Sequence, residues 1–239
     1  MNIFEIFQED FLYHEYQPLH YLREGQPIFA YEALLRNLSK VNPEQVFQTA
    51  TRANILYKLD SVSIHKAVQT FANRIGHGQE HLFLNIYITT ILHPNFHKFF
   101  EHLVESFPSI VQHLYLEVNE SSAEEMWQNN LLKESMNNLR EFGVKFAIDD
   151  FGQGSSSLKK AIEYQPECIK LDRFFASNLS KDERKQRFLS FFHSYFGKDT
   201  FIVLEGIETF EDLKVAEQLG IHAGQGYYLG KPAELAIGS

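Results

Sequence analysis

Short apolar runs alternate with longer amphipathic segments along this chain, and that alternation limits its possible folds more than any other feature. Eight runs read as buried strands: 13–19, 28–34, 82–86, 114–118, 144–148, 168–171, 201–204 and 222–228. Strands that alternate with helices pair in parallel and connect by right-handed crossovers. Eight such units in 239 residues suit a closed α/β barrel of the TIM type, typically ~250 residues long, better than an open sheet. No low-complexity linker or shift of composition divides the chain, so one domain over residues 1–239 is expected.

Helix signals fill the intervals. Ser122 with Glu125 predicts a capping box, Trp127, Leu131, Met136 and Leu139 the buried face that follows, and Gly143 the end of that helix. Thr209 and Asp212 open another helix, which buries Leu213, Ala216 and Leu219 and stops at Gly220. Residues 43–73 and 181–196 also read as helical. The Phe99-Phe100 and Phe191-Phe192 pairs read as helix packing, and His93 and His97, interrupted by Pro94, as structural rather than metal-binding.

A net charge of −9 with no long basic run argues against DNA or RNA as a partner, while a small phosphorylated ligand held through metal ions is compatible with it. The single cysteine, Cys168, lies in an apolar run; it excludes a disulfide framework and suits a reducing cytoplasm. No window approaches the roughly 18 uninterrupted apolar residues of a membrane span, and Glu5, Glu9 and Asp10 contradict a signal peptide, so no membrane association is expected.

Chemistry-bearing groups recur at the same relative place in strand after strand. Glu32 lies in the second strand, Asn85 and Glu117 near the ends of the third and fourth, and Asp149-Asp150 after the fifth. Lys170 lies in the sixth, Glu205 at the end of the seventh and Gln225 in the eighth. In a parallel barrel these positions converge on one face. Carboxylates with an amide, and no His or Cys, suit hard ions such as Mg²⁺ or Mn²⁺. The set is larger than one ion needs, and Asp149 is the natural bridge between two. Two such ions ~3.5–4 Å apart are the usual apparatus for in-line attack of water on a phosphodiester. Lys170 would then hold the nucleophilic water, and Glu205 would receive its proton or complete an ion's surroundings. Read alone, Asp149-Asp150 is equally an acidic turn, and Lys170 equally a simple salt bridge.

Tyr31-Glu32-Ala33-Leu34-Leu35-Arg36 resembles the signature of the EAL domain, the cyclic di-GMP phosphodiesterase family. Further blocks resemble it in order: Tyr16-Gln17-Pro18, Leu84-Asn85-Ile86, Leu116 to Glu120, Asp149 to Gly152, Ile169 to Asp172, Glu205 to Thr209, Gln225 to Tyr228, and Gly230-Lys231-Pro232. The resemblance implies a barrel whose first strand runs antiparallel to the others, and hydrolysis of cyclic di-GMP to linear pGpG. It implies Glu32, Asn85, Glu117 and Asp149 around one ion and Asp149 with Asp150 at a second. Lys170, Glu205 and Asp150 are then the catalytic groups, and Gln17, Arg36 and Gln225 contact the dinucleotide. A homodimer is a further implied partner.

The match departs from the family pattern in one loop, where Gln153 and Ser155 stand for the usual Thr and Tyr. Asn119 stands for Thr before the retained Glu120. Asn37 and residues 52–57 also differ from the usual pattern. Asp172 and Glu208 are expected to orient metal ligands or Lys170. The retained site favours the enzyme; the altered loop favours a cyclic di-GMP receptor or protein-interaction module with little turnover.

Overall fold

A hairpin at the start of the chain decides how the sheet closes. The computed structural model describes residues 12–37, 41–75, 79–120, 122–153 and 157–235. Its eight strands are β1 (Leu12–Tyr21), β2 (Ile28–Asn37), β3 (His81–Asn85), β4 (Leu114–Asn119), β5 (Lys145–Phe151), β6 (Cys168–Leu171), β7 (Phe201–Leu204) and β8 (Ala223–Gly224), joined in that order into a closed barrel. Residues 22–27 between β1 and β2 are too few for a crossover helix, and Gly25 and Gln26 turn there with φ of 76° and 40°. β1 therefore lies antiparallel to both β2 and β8, while β2 to β8 pair in parallel. The uniformly parallel sheet expected from alternation fails at this hairpin, and the orientation implied by the family resemblance holds. Tyr16 also exchanges backbone hydrogen bonds of 2.7 and 3.2 Å with Ala233, which straps the C-terminal segment across β1.

Three helix expectations change in detail. Residues 43–73 form two helices, Pro43–Arg52 and Leu56–Ile75, because Asn54 adopts a left-handed φ of 56° between them. The capping box at Ser122 does not form: Ala123 precedes a four-residue helix, Glu124–Trp127, and Asn129 caps a second, Asn130–Arg140, through its side chain. That new start turns Leu131 to solvent and gives the core position to Leu132. The helix expected from residue 181 begins as a 3-10 turn, Leu179–Lys181, and becomes Glu183–Phe196 only after Asp182 caps it. Thr209 caps Phe210–Gln218 as expected, accepting from Asp212 N at 3.2 Å. Phe100 and Phe192 are buried, whereas Phe191 is exposed. His93 stacks on Tyr57 at 3.7 Å, a structural use.

The largest core fills the space between barrel and helices. A second core plugs the barrel itself and consists of Leu19, Phe29, Ala30, Phe83, Tyr115, Ala147, Cys168, Val203 and Ala223. Side chains alternate faces along a strand, so the residue two places beyond each of these plug residues also points inward, except beyond Phe29, where Tyr31 packs against the outer core. Those residues are Glu32, Asn85, Glu117, Asp149, Lys170, Glu205 and Gln225; on the reversed β1 it is Gln17, two places before Leu19. The plug is a floor, and every expected metal or catalytic residue except Asp150 stands one layer above it.

Candidate active site

Lys170 occupies the centre of that layer with no solvent exposure. Its Nζ lies 2.7 Å from Glu117 Oε1, 2.8 Å from Glu205 Oε1, and 3.1 Å from both Glu32 Oε2 and Asp149 Oδ1. Burial alone would push the ammonium down in pKa, but the surrounding carboxylates outweigh it and hold Lys170 well above its ordinary range. One cation cannot serve four carboxylates equally. Burial and the charge of Glu32 push Glu117 well above the carboxylate range, and its Oε2 is buried with no hydrogen-bond partner. Burial likewise raises Asp149, and raises Glu205 to about 8. Burial also works against Glu32, yet it is held low by Lys170 and by hydrogen bonds from Gln225 Nε2 at 2.8 Å and Asn85 Nδ2 at 3.1 Å.

Asp150 joins the layer by a break in strand periodicity. Both aspartates lie within β5 rather than after it, and the register with β6 shifts between Ile148 and Phe151. Asp150 sits at that bulge with φ of 55°, so consecutive carboxylates reach the same mouth. Oxygens of Asp149, Asp150 and Glu205 come within 4.8 Å of one another. The next turn needs Gly152: its φ is 108°, and a Cβ there would stand 2.6 Å from the Phe175 ring. Asn119 and Gln153, two of the departures from the family pattern, both hold Asp150. Asn119 Nδ2 donates to Oδ2 at 2.6 Å, and Gln153 Nε2 lies 3.3 Å from Oδ1 and 2.8 Å from Asp172 Oδ2. Ser155 lies outside the described residues.

The remaining expected residues divide. Gln225 is buried at the cluster, and Gln17 donates to Gly230 O at 3.0 Å. Arg36 stands apart, paired with Glu15 at 2.8 Å. Asp172 caps Arg173–Ala176 and acts on the site through Gln153. Glu208, four residues beyond the end of β7, lines the smaller of the site's two clefts beside Glu205 and lies 3.7 Å from Arg173 Nη2. Glu120 is fully buried, its N–H donating to Asp149 O at 2.9 Å.

Two clefts flank the carboxylates. The larger, about 450 Å³, is walled by Asn85, Glu117 and Asn119 on the cluster side and by His14, Arg36, Asp60, Ser63 and Tyr87 beyond. The smaller, about 240 Å³, is walled by Gln17, Glu32, Asp150, Glu205 and Gln225. Asp60, His14 and Ser63 are wall residues that the sequence reading missed. Asp60 is buried, accepts from Tyr87 N at 3.1 Å, and is pushed up by burial to about 7. His14 is pushed down to about 3 by burial and lies 3.0 Å from Ser63 Oγ. The missed signal was an acid on an apolar stripe, since Asp60 shares the buried face of its helix with Ile64, Ala67 and Phe71.

The chemistry of this layer fits divalent metal. Hard oxygen donors outnumber the one cation that the described residues bring there, and among those residues a buried oxygen of Glu117 has no hydrogen-bond partner, which is costly unless an ion meets it.

The family model described as EAL domain matches residues 3–232. Two curated relatives are the cyclic di-GMP phosphodiesterases PdeA of Borreliella burgdorferi and PdeF of Escherichia coli. PdeA is 24% identical over 235 residues, covering 96% of this chain and 35% of its own. PdeF is 26% identical over 228 residues, covering 90% and 30%. The chain thus spans about a third of the length of these relatives. A solved structure of the EAL enzyme Bd1971 bound to cAMP and cyclic di-GMP superposes with a TM-score of 0.86 at 26% identity, over 98% of this chain and 65% of that one.

Proposed function

The chain belongs to the EAL-domain family, and on that footing we propose that it hydrolyses one 3′–5′ phosphodiester of cyclic di-GMP to linear pGpG. The observation that carries this reading is the gathering of Glu32, Glu117, Asp149 and Glu205 around buried Lys170, at a mouth with a cleft on either side. Glu32, Asn85, Glu117 and Asp149 would hold one Mg²⁺ or Mn²⁺ ion, and Asp149 with Asp150 a second. Ions held there would supply Lewis-acid stabilisation of charge developing on the phosphate.

The chain's own groups do the rest. Lys170 presents ammonium donors that orient the attacking water. Glu205, whose Oε1 lies 2.8 Å from Lys170 Nζ, is placed in its ionised form to take the proton from that water. Each cleft takes one guanylate half. Arg36 can exchange Glu15 for a phosphate oxygen, and Gln17 and Gln225 meet the half in the smaller cleft. Asp60 in the larger cleft matches the adjacent N1–H and N2–H donors of guanine.

A homodimer and a cytoplasmic compartment belong to the same reading. Exposed Phe191 and Tyr195, their rings 6.4 Å apart on one helix face, support the first. The unpaired thiol of Cys168 supports the second, and no described helix is long and apolar enough to cross a membrane.

Purified protein with Mn²⁺ is expected to form pGpG, and Glu32→Ala to form none. Tight nucleotide binding without metal-dependent product would sink hydrolysis and leave a receptor. Capture of a protein partner without nucleotide would point to an interaction module.

A further inference from the structure

Lys160 lies on Ser157–Tyr164, the first helix after the paired aspartates, and its side chain is only 5% exposed. A buried lysine is rare unless it is paired, because its charge loses water. Here the ammonium donates to the backbone carbonyl of Glu120 at 2.8 Å and lies 3.7 Å from Glu120 Oε1 and 3.2 Å from Glu124 Oε2. It also stands 5.1 Å over the Trp127 ring. These contacts pin the turn that follows β4. From the other side of the same turn, Glu120 N donates to Asp149 O at 2.9 Å and Asn119 Nδ2 to Asp150 Oδ2 at 2.6 Å.

We infer that Lys160 is a positioning residue for the paired aspartates, acting through the Asn119-Glu120 turn. The inference rests on the phosphodiesterase reading above. Lys160 touches neither aspartate. It fixes the two-residue segment from which one backbone bond and one side-chain bond reach them, so the bulged end of β5 is tied to the end of β4 and to the helix beyond it. A methionine at 160 keeps much of the packing against Trp127 but can hold neither the carbonyl nor the two carboxylates. An arginine keeps charge and donors.

The test compares wild type, Lys160→Met and Lys160→Arg by thermal melting, by Mn²⁺ binding from the loss of the free-ion paramagnetic resonance signal, and by steady-state hydrolysis of cyclic di-GMP. Lys160→Met is expected to weaken Mn²⁺ binding by about 10- to 100-fold and to lower kcat by a similar factor. KM is expected to stay within about threefold, because Lys160 itself lines neither cleft. Lys160→Arg is expected to recover most of both losses. If Lys160→Met does not fold, Glu124→Gln, which removes one partner and leaves Glu120 in place, is expected to give a smaller loss of the same sign.

Lys160→Met that melts lower yet binds Mn²⁺ and turns over like wild type overturns the inference alone. So does Glu124→Gln indistinguishable from wild type when Lys160→Met is unfolded. Wild-type protein that neither takes Mn²⁺ nor forms pGpG overturns the functional reading and this inference together.

Discussion

Phe83 and Asn85 point inward from the same strand, one layer apart, and the two layers obey opposite rules. The floor is complete in itself: Phe83 stacks on Tyr115 at 4.4 Å, Phe29 on Phe201 at 4.5 Å, and Cys168 fills a gap. The layer above is incomplete in itself, since several carboxylates share Lys170 and one Glu117 oxygen meets nothing. One barrel thus carries a layer shaped for stability under a layer shaped for a ligand. The strand backbone gives both the same footing.

The sharpest break in that comparison is Lys170→Met. It should lower turnover by roughly 10³-fold or more. In EDTA it should also cost about 3–5 kcal/mol of stability, because the carboxylates lose the cation they share. Saturating Mn²⁺ should return part of the stability and none of the turnover; melting with and without the ion, beside a product assay, reads both. Phe83→Ala should do the reverse, costing about 3–5 kcal/mol in denaturant unfolding while the kcat of the folded fraction changes little.

Asp60 tests a third environment, the cleft wall. Its carboxyl stays protonated in the folded protein up to about 7 but ionises near 3.8 when unfolded, so it lowers stability progressively as pH rises between those values and uniformly above them. Asp60→Asn should therefore gain stability over wild type on going from pH 4 to pH 8, by at most on the order of 4 kcal/mol, and should raise KM for cyclic di-GMP. Paired unfolding curves at the two pH values decide it. Divalent affinity should respond to pH in the other direction. An entering ion must displace the protons that burial favours on Glu117, Asp149 and Glu205, so apparent Mn²⁺ affinity should climb as pH rises through about 8. Calorimetric titration across pH 6–9 measures this. Gln153→Ala should have the smallest effect, a loss of kcat of about two- to fivefold, since Asn119 still holds Asp150.

Much of this was legible because period-2 alternation writes the floor and the mouth into the same short runs: Tyr115 and Glu117, or Val203 and Glu205, announce both layers at once. Alternation by itself did not carry whatever broke a period, although the family resemblance implied both the reversed first strand and Asp150 at the site. The hairpin at Gly25-Gln26 reversed one strand, and Asn54 divided one helix. Asp150 entered the mouth through a left-handed bulge. Asp60 and Lys160 stayed hidden because a charge on an apolar stripe reads as an irregularity until the cleft or the partner carboxylate is seen.

Lys170 has a consequence for how the molecule comes into being. Many small metalloproteins remain unfolded until their ion arrives, because unbalanced ligands repel one another. This barrel carries a resident counter-ion on β6, placed where the carboxylates of β2, β4 and β5 and the one just past β7 converge. The strands can close around that lysine with no divalent ion present. On the proposed reading, metal supply is thereby separated from folding, and protein lacking Mg²⁺ or Mn²⁺ would stay intact and idle until the ion arrives.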